Sequence, residues 1–181
     1  MGGSNVAVNR AKIVEQNFLE LLESYPEQNK NHNKDELLSG SSLTGRQLLQ
    51  VFDSQLMSRC LDYTARELKA ESKSFYTISS AGHEGNALVG LYTRPTDMAF
   101  LHYRSGGFFM QRAKQVPGET PIFDTCLSMV ASSEDPISGG RHKVWGSVAM
   151  HIPPQTSTIA SHLPKAVGAA FSFERAKRMG L

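Results

Sequence analysis

Ser157-Thr-Ile-Ala-Ser-His-Leu-Pro-Lys-Ala-Val-Gly-Ala-Ala-Phe171 decides how this chain is read, because a hydroxyl-rich turn runs here straight into a helix built first from small residues. Ser157, Thr158 and Ser161 offer hydroxyls beside their own backbone N–H and C=O groups. Pro164, with a preset φ and no N–H to leave unpaired, is placed to open the helix. Ala166, Gly168, Ala169 and Ala170 let another surface approach that helix closely. A turn of this kind can hold a ligand. The pattern alone favours the plainer reading, a surface loop leading into a core helix.

Upstream, Phe100-Leu-His-Tyr-Arg-Ser-Gly-Gly107 follows Thr96-Asp-Met-Ala-Phe100, and the apolar run predicts a short strand over residues 98–103. Tyr103 and Arg104 then emerge at its end, where ligands sit in open α/β sheets, and an Arg fork beside a phenol suits a phosphate group. By itself a Tyr-Arg pair is common and usually structural.

Helical spacing accounts for most of the rest. Ile13, Val14, Phe18, Leu21 and Leu22 predict an amphipathic helix from Ala11 to Tyr25. Residues 26–42, with Asn29-Lys-Asn-His-Asn-Lys34 and Ser39-Gly-Ser-Ser42, read as a polar linker. Thr44 is a predicted N-cap for a long helix to about Ala70, with Leu48, Phe52, Leu56, Cys60, Tyr63 and Leu68 as its apolar stripe. A further helix is expected to start near Ser79 or Ser80, whose hydroxyls can cap it, and to end at Arg94-Pro-Thr-Asp97. Others are expected over residues 107–115, 121–131 and 164–179, with Gly180 as a C-cap.

Composition excludes several classes. With 181 residues, 40% hydrophobic and 20% charged, the chain has material for one domain with a sizeable core. A net charge of +2 with dispersed bases argues against nucleic-acid binding. Cys60 and Cys126 lack Cys-x-x-Cys spacing, so neither a disulfide framework nor a zinc site is expected and a reducing cytoplasm is the default. No apolar run approaches the length of about 18 residues that a membrane span needs. Met1-Gly-Gly-Ser4 reads as a cloning remnant. Phosphate-binding Gly-rich loops, His-Glu-x-x-His and Gly-x-Ser-x-Gly are absent from the sequence.

Phe75-Tyr-Thr-Ile-Ser-Ser-Ala-Gly-His-Glu84, Tyr103-Arg104 and the Ser157 turn, in that order, resemble one family. From about Leu43 to Leu181 the chain is similar to the N-terminal part of the α-type region of thiamine-diphosphate-dependent 2-oxo-acid dehydrogenases, the decarboxylating components of the branched-chain and pyruvate complexes. Ile152-Pro-Pro-Gln-Thr-Ser-Thr-Ile-Ala-Ser-His162 most resembles members whose α-type and β-type regions are fused. The resemblance implies an α/β fold, the N-terminal helical part of a thiamine-diphosphate-binding α/β/α sandwich, with few short strands in this stretch. It also implies a division into an N-terminal helix and linker, residues 1–42, and an incomplete α-type domain, residues 43–181.

By the same resemblance, Tyr103 and Arg104 contact the cofactor diphosphate, Ser157 meets the aminopyrimidine end through its backbone, and Ile159 supports the bent cofactor by packing. His102 is placed to face the substrate channel as a catalytic candidate, although a lone histidine is as often structural. Thr158 stands where relatives carry Pro, Ser161-His162 where they carry Thr-Gln, and Trp145-Gly-Ser147 where many carry a His. His142 and His151 substitute for that histidine only in principle. Implied cofactors are thiamine diphosphate and magnesium, with the Gly-Asp-Gly metal motif expected beyond Leu181, so the stretch alone is expected to be inactive. Implied partners are a 2-oxo acid, a β-type region or subunit, the lipoyl domain of an acyltransferase component and further copies in a homo-oligomer. The other reading left open is a non-catalytic helical interaction module, with the stretch from Leu48 to Leu68 as its docking helix.

Overall fold

Residues 8–26, 33–75 and 78–181 are described in a computed structural model. The start of the chain at Met1-Gly-Gly-Ser4, most of the Asn-rich stretch expected as linker, and Tyr76-Thr77 lie outside the described residues. Two units divide the chain, Met1–Lys34 and Asp35–Leu181. The first contributes helix α1, Arg10–Ser24, whose N-cap Asn9 accepts a hydrogen bond from the Lys12 N–H at 3.3 Å. None of its residues is buried, since one helix has nothing of its own to close against.

The second unit is built from α2 (Gly45–Ala70), a 3₁₀ turn (Glu84–Asn86), α3 (Ala87–Tyr92), α4 (Gly106–Ala113), α5 (Pro121–Met129) and α6 (His162–Arg178). Thr44 and Gln47 form a reciprocal capping box: the Gln47 N–H donates to Thr44 Oγ1 at 3.2 Å, and the Thr44 N–H to Gln47 Oε1 at 2.9 Å. That local signal starts α2 where the sequence places it. Pro164 is the third residue of α6 rather than its first, still inside the turn whose N–H groups have no helical partner. Among the described residues no helix is long and apolar enough to cross a membrane.

Every residue of α4 is buried. It packs between α2 and α3, and the core around it gathers Leu61, Leu101, Phe108, Phe109, Met110, Met129, Trp145, Met150 and Ile152. Phe109 and Trp145 meet with ring centres 5.0 Å apart.

Two expectations are corrected here. The face that α2 buries carries Val51, Ser54, Ser58, Leu61, Asp62 and Ala65, while Leu48, Phe52 and Cys60 of the expected stripe are exposed and Leu56, Tyr63 and Leu68 are half-buried. Close approach selects the small side chains: Ser54 Oγ donates to buried Gln111 Oε1 at 2.8 Å, and Gly106 lies against Ser58 Oγ with no room for a Cβ. The strand expected over residues 98–103 also does not form. Ala99 donates its N–H to the His151 carbonyl at 3.1 Å, and the bridges among the described residues are the isolated pairs Leu37 with Thr44 and Ser147 with Ile152. With no neighbouring strand to continue a ladder, an extended apolar segment stays a linker. This part of the chain is mostly helical with almost no strand.

Gly90 marks the tightest contact of α3 with α4, because a Cβ there would lie 2.8 Å from the Phe108 carbonyl oxygen and 3.1 Å from Gln111 Cβ. Gly90→Ala is expected to destabilise by about 1–3 kcal/mol through overpacking. Met110→Ala, at 1% exposure, is expected to cost about 2–5 kcal/mol, and half-buried Leu56→Ala less than about 2 kcal/mol. Urea midpoints rank the three; an order led by Leu56 would contradict the packing described.

Candidate functional site

The turn before α4 carries His102, Tyr103 and Arg104, all half-buried. The Ser105 N–H donates to the His102 carbonyl at 2.9 Å and closes the turn, while the Arg104 N–H reaches His102 Nδ1 at 3.3 Å. Arg104 Nη1 donates to the Ser79 carbonyl, and its guanidinium carbon lies 5.2 Å from the Tyr103 ring centre. From the far side Trp145 Nε1 donates to the Tyr103 carbonyl at 3.0 Å. The backbone of the Tyr-Arg pair is thus held from two directions.

Imidazoles converge on this turn from elsewhere in the chain. His102 packs on Tyr103 with ring centres 3.8 Å apart, His83 stacks at 5.9 Å, and His162, the first residue of α6, meets His102 edge-on at 5.7 Å. Burial first, then the proximity of His162, His83 and Arg104, holds His102 below the ordinary histidine range.

The Ser157 turn is built separately. Ser157 Oγ and His142 Nε2 share a hydrogen bond at 2.8 Å, Thr156 Oγ1 and Ser161 Oγ another at 3.2 Å, and Ala160 takes φ +64, a left-handed conformation uncommon for alanine. Ile159 is 75% exposed. Of the predicted site residues, therefore, His102, Tyr103 and Arg104 come together, Ser157 is engaged by His142, and Ile159 faces solvent. The two motifs approach each other through the His102–His162 contact.

Beneath the turn lies a charged layer. The Ser80 N–H donates to Asp62 Oδ2 at 2.9 Å, so Ser80 is tied to α2 and does not cap α3 as expected; the 3₁₀ turn before α3 follows His83 with no side-chain cap. Burial pushes the Asp62 carboxyl up, against the opposing hydrogen bond from Ser80 and the nearby Lys143 and Arg59. Lys143, its ammonium 4.4 Å from the Trp145 ring centre, is pushed down to about 8 by desolvation, with Asp62 acting in the opposite direction. Arg59 pairs with Glu84. Asn86 Oδ1 accepts the Phe108 N–H at 2.7 Å and the Ser105 carbonyl accepts that of Phe109 at 3.1 Å. Gly106 and Gly107, whose N–H groups head that helix end, are both buried.

This donor set suits a diphosphate: a phenol, a guanidinium with N–H groups beyond the one on Ser79, and the two glycine N–H groups at a helix start. A Cβ at either glycine would fall within 3.0 Å of oxygens of Ser58, Ser80, Glu84 or Asn86, so the chain itself packs closely against both. Among the described residues no group of three His, Cys, Asp or Glu side chains could hold a metal ion. Sequence reasoning missed Asn86 and Lys143 as neighbours of the turn, met His162 and Trp145 only as departures from a pattern, and had His83 within the Gly82–Glu84 segment that the resemblance places near the site entrance.

No family profile matches the chain. It is similar to the protein named 2-oxoisovalerate dehydrogenase subunit alpha, mitochondrial, of Mus musculus, with 25% identity over 136 residues that cover 74% of this chain and 29% of that protein. The chain thus spans less than a third of the length of that curated relative. The likeness links it, at a distance, to the 2-oxo-acid dehydrogenase components.

Because His102 is held below its ordinary value, the folded protein binds fewer protons than the unfolded chain between that lowered value and about 6.5. This contribution to stability is complete above about pH 6.5 and is lost as pH falls through the window. His102→Gln should therefore shrink the drop in urea midpoint between about pH 7.5 and 5.5. An unchanged drop would show that His102 titrates as freely folded as unfolded.

Proposed function

We propose that residues 43–181 supply part of the cofactor wall of a thiamine-diphosphate-dependent, decarboxylating 2-oxo-acid dehydrogenase, with residues 1–42 outside that α-type domain and the rest of the α/β/α sandwich contributed by further chain. The observation that carries this reading is the meeting of two motifs more than fifty residues apart, Tyr103-Arg104 and the Ser157–His162 turn, through the His102 and His162 rings. A distant likeness to an oxo-acid dehydrogenase subunit supports it independently.

In this reading Arg104 and Tyr103 hold the diphosphate, helped by the Gly106 and Gly107 N–H groups, while Ser157 and Ile159 meet the aminopyrimidine end. Bound thiamine diphosphate supplies an electron sink that makes loss of carbon dioxide from a 2-oxo acid accessible. This chain's part is to fix the cofactor's charged end and to present His102 Nε2 toward the substrate. Nδ1 of His102 accepts from the Arg104 N–H, so the neutral ring carries its proton on Nε2. Magnesium ligands, the β-type region and a lipoyl acceptor come from outside this chain, in a homo-oligomeric assembly. The free thiols of Cys60 and Cys126 suit a reducing compartment, the cytoplasm in this reading.

A non-catalytic interaction module is the second reading, and exposed Leu48, Leu49 and Phe52 on α2 favour it. Calorimetric titration of the whole protein, assembled with its β-type region, separates the two. Arg104→Ala should weaken thiamine diphosphate binding by about 10- to 100-fold, the loss of about 1.5–3 kcal/mol of charge-assisted hydrogen bonding, with the urea midpoint little changed. Equal affinity in the folded variant would remove Arg104 from the site. No binding by the assembled wild type would favour the module.

A further inference from the structure

Helix α1 carries half of an interface. Ala11, Val14, Phe18 and Leu21, with Tyr25 just past its end, recur at alternating spacings of three and four residues. They form one stripe down the helix, the pattern of a seam between two helices. Val14, Phe18, Leu21 and Tyr25 are all exposed, and no residue of α1 is buried. A helix of 15 residues is marginal by itself in water, so α1 needs a surface against which to close that stripe.

The charges on α1 point to what that surface is. Arg10 and Lys12 stand in its first turn, while Glu20 and Glu23 lie toward its end. That order opposes the helix dipole, which favours acids at the N-terminus and bases at the C-terminus. Among the described residues none of these four charges is in an ion pair. A second α1 running the opposite way supplies what the first lacks, its acids beside Arg10 and Lys12 and its bases beside Glu20 and Glu23. Lys12 and Glu23 are about three turns apart and within about 20° of each other around the axis, so they share one flank of the stripe. Like flanks meet in an antiparallel pair, which brings Lys12 of one copy toward Glu23 of the other, twice by symmetry. A parallel pair would instead set base level with base and acid level with acid.

We propose that α1 is a self-association helix, pairing antiparallel with α1 of a second copy of this chain through Val14, Phe18 and Leu21, with a Lys12–Glu23 pair toward each end. Pairing through α1 uses none of residues 43–181, so it holds whether or not the cofactor wall does.

Sedimentation equilibrium of the 181-residue chain is the test. A contact between two such helices is small beside the ~1,200 Å² of a stable interface, so a dimer dissociating at about 10–100 μM is expected. Phe18→Asp should weaken it at least about thirtyfold and leave the urea midpoint unchanged, because α1 buries no side chain. Lys12→Glu and Glu23→Lys should each weaken it about threefold to tenfold at low salt, and the two together should restore most of the affinity. A chain monomeric at every concentration would overturn the pairing. So would association that Phe18→Asp leaves intact, which would assign it to another face such as the exposed apolar side of α6 at Val167 and Phe171. Charge reversals that add rather than compensate would rule out the antiparallel arrangement, and a monomer whose urea midpoint falls on Phe18→Asp would seat α1 on its own chain.

Discussion

A buried guanidinium governs the path of the chain through the second unit. Arg112 is 1% exposed, with Nη1 donating to the carbonyls of Asp97 at 2.7 Å and Met150 at 3.2 Å, Nη2 donating to Thr93 Oγ1 at 2.7 Å, and its plane 4.5 Å from the Phe108 ring centre. A cation taken out of water costs several kcal/mol unless its donors are met, and here Nη1 and Nη2 are met by two backbone oxygens and the Thr93 hydroxyl rather than by a carboxylate, while the buried Nε has no partner among the described residues. Desolvation accordingly holds its pKa below the usual arginine value. The loops cannot drift from α4 without stranding that charge. The segment between Asp97 and α4 is thereby constrained at its start by Arg112 and at its end by the helix it enters, which fixes where His102, Tyr103 and Arg104 emerge.

The second constraint is closeness. Serines and glycines line the contacts that α4 makes with α2 and α3: Ser54 bonded to Gln111, Ser58 against Gly106, and Gly90 against the Phe108 carbonyl. Helices packed this tightly leave no slack for rotation, so the N-terminus of α4 is held in one orientation. Asn86 reinforces it by accepting the Phe108 N–H, and Glu84, two residues earlier, is anchored to α2 by Arg59. A rigid helix start beneath a clamped turn is the arrangement that a diphosphate site requires, because hydrogen-bond strength falls steeply with misalignment.

Around this scaffold the polar chemistry is layered. Asp62 and Lys143 form a desolvated pair of opposite tendencies, the carboxyl pushed up and the ammonium down to about 8, while the histidines lie nearer the solvent. Trp145 joins the layers, its indole N–H on the Tyr103 carbonyl and its ring face toward Lys143. That one tryptophan touches the core through Phe109, the charged layer and the turn.

Local physics was legible in the residues themselves. Thr44 announced the start of α2 because an N-cap depends only on near neighbours in the chain, and Gly180 at φ +73 ends α6 where a C-terminal glycine is expected. Tyr103-Arg104 stood out as a candidate because its chemistry is specific, whatever surrounds it. The buried face of α2 was not legible: helical periodicity offers several stripes, and the approach of α4 selected Ser54 and Ser58 over Phe52 and Leu48. Nor was the fate of residues 98–103, since an extended apolar run becomes a strand only when another strand is present to pair with it. The meeting of His83, His102 and His162 lay further still from view. Their separations along the chain carry no periodic signal, and only the packing of α4, α6 and the loop before α3 brings the His83 and His162 rings each within 6 Å of His102. The sequence by itself determined the helices and the residue types able to do chemistry; tertiary structure decided which of them face each other, because burial and convergence depend on surfaces that distant parts of the chain supply.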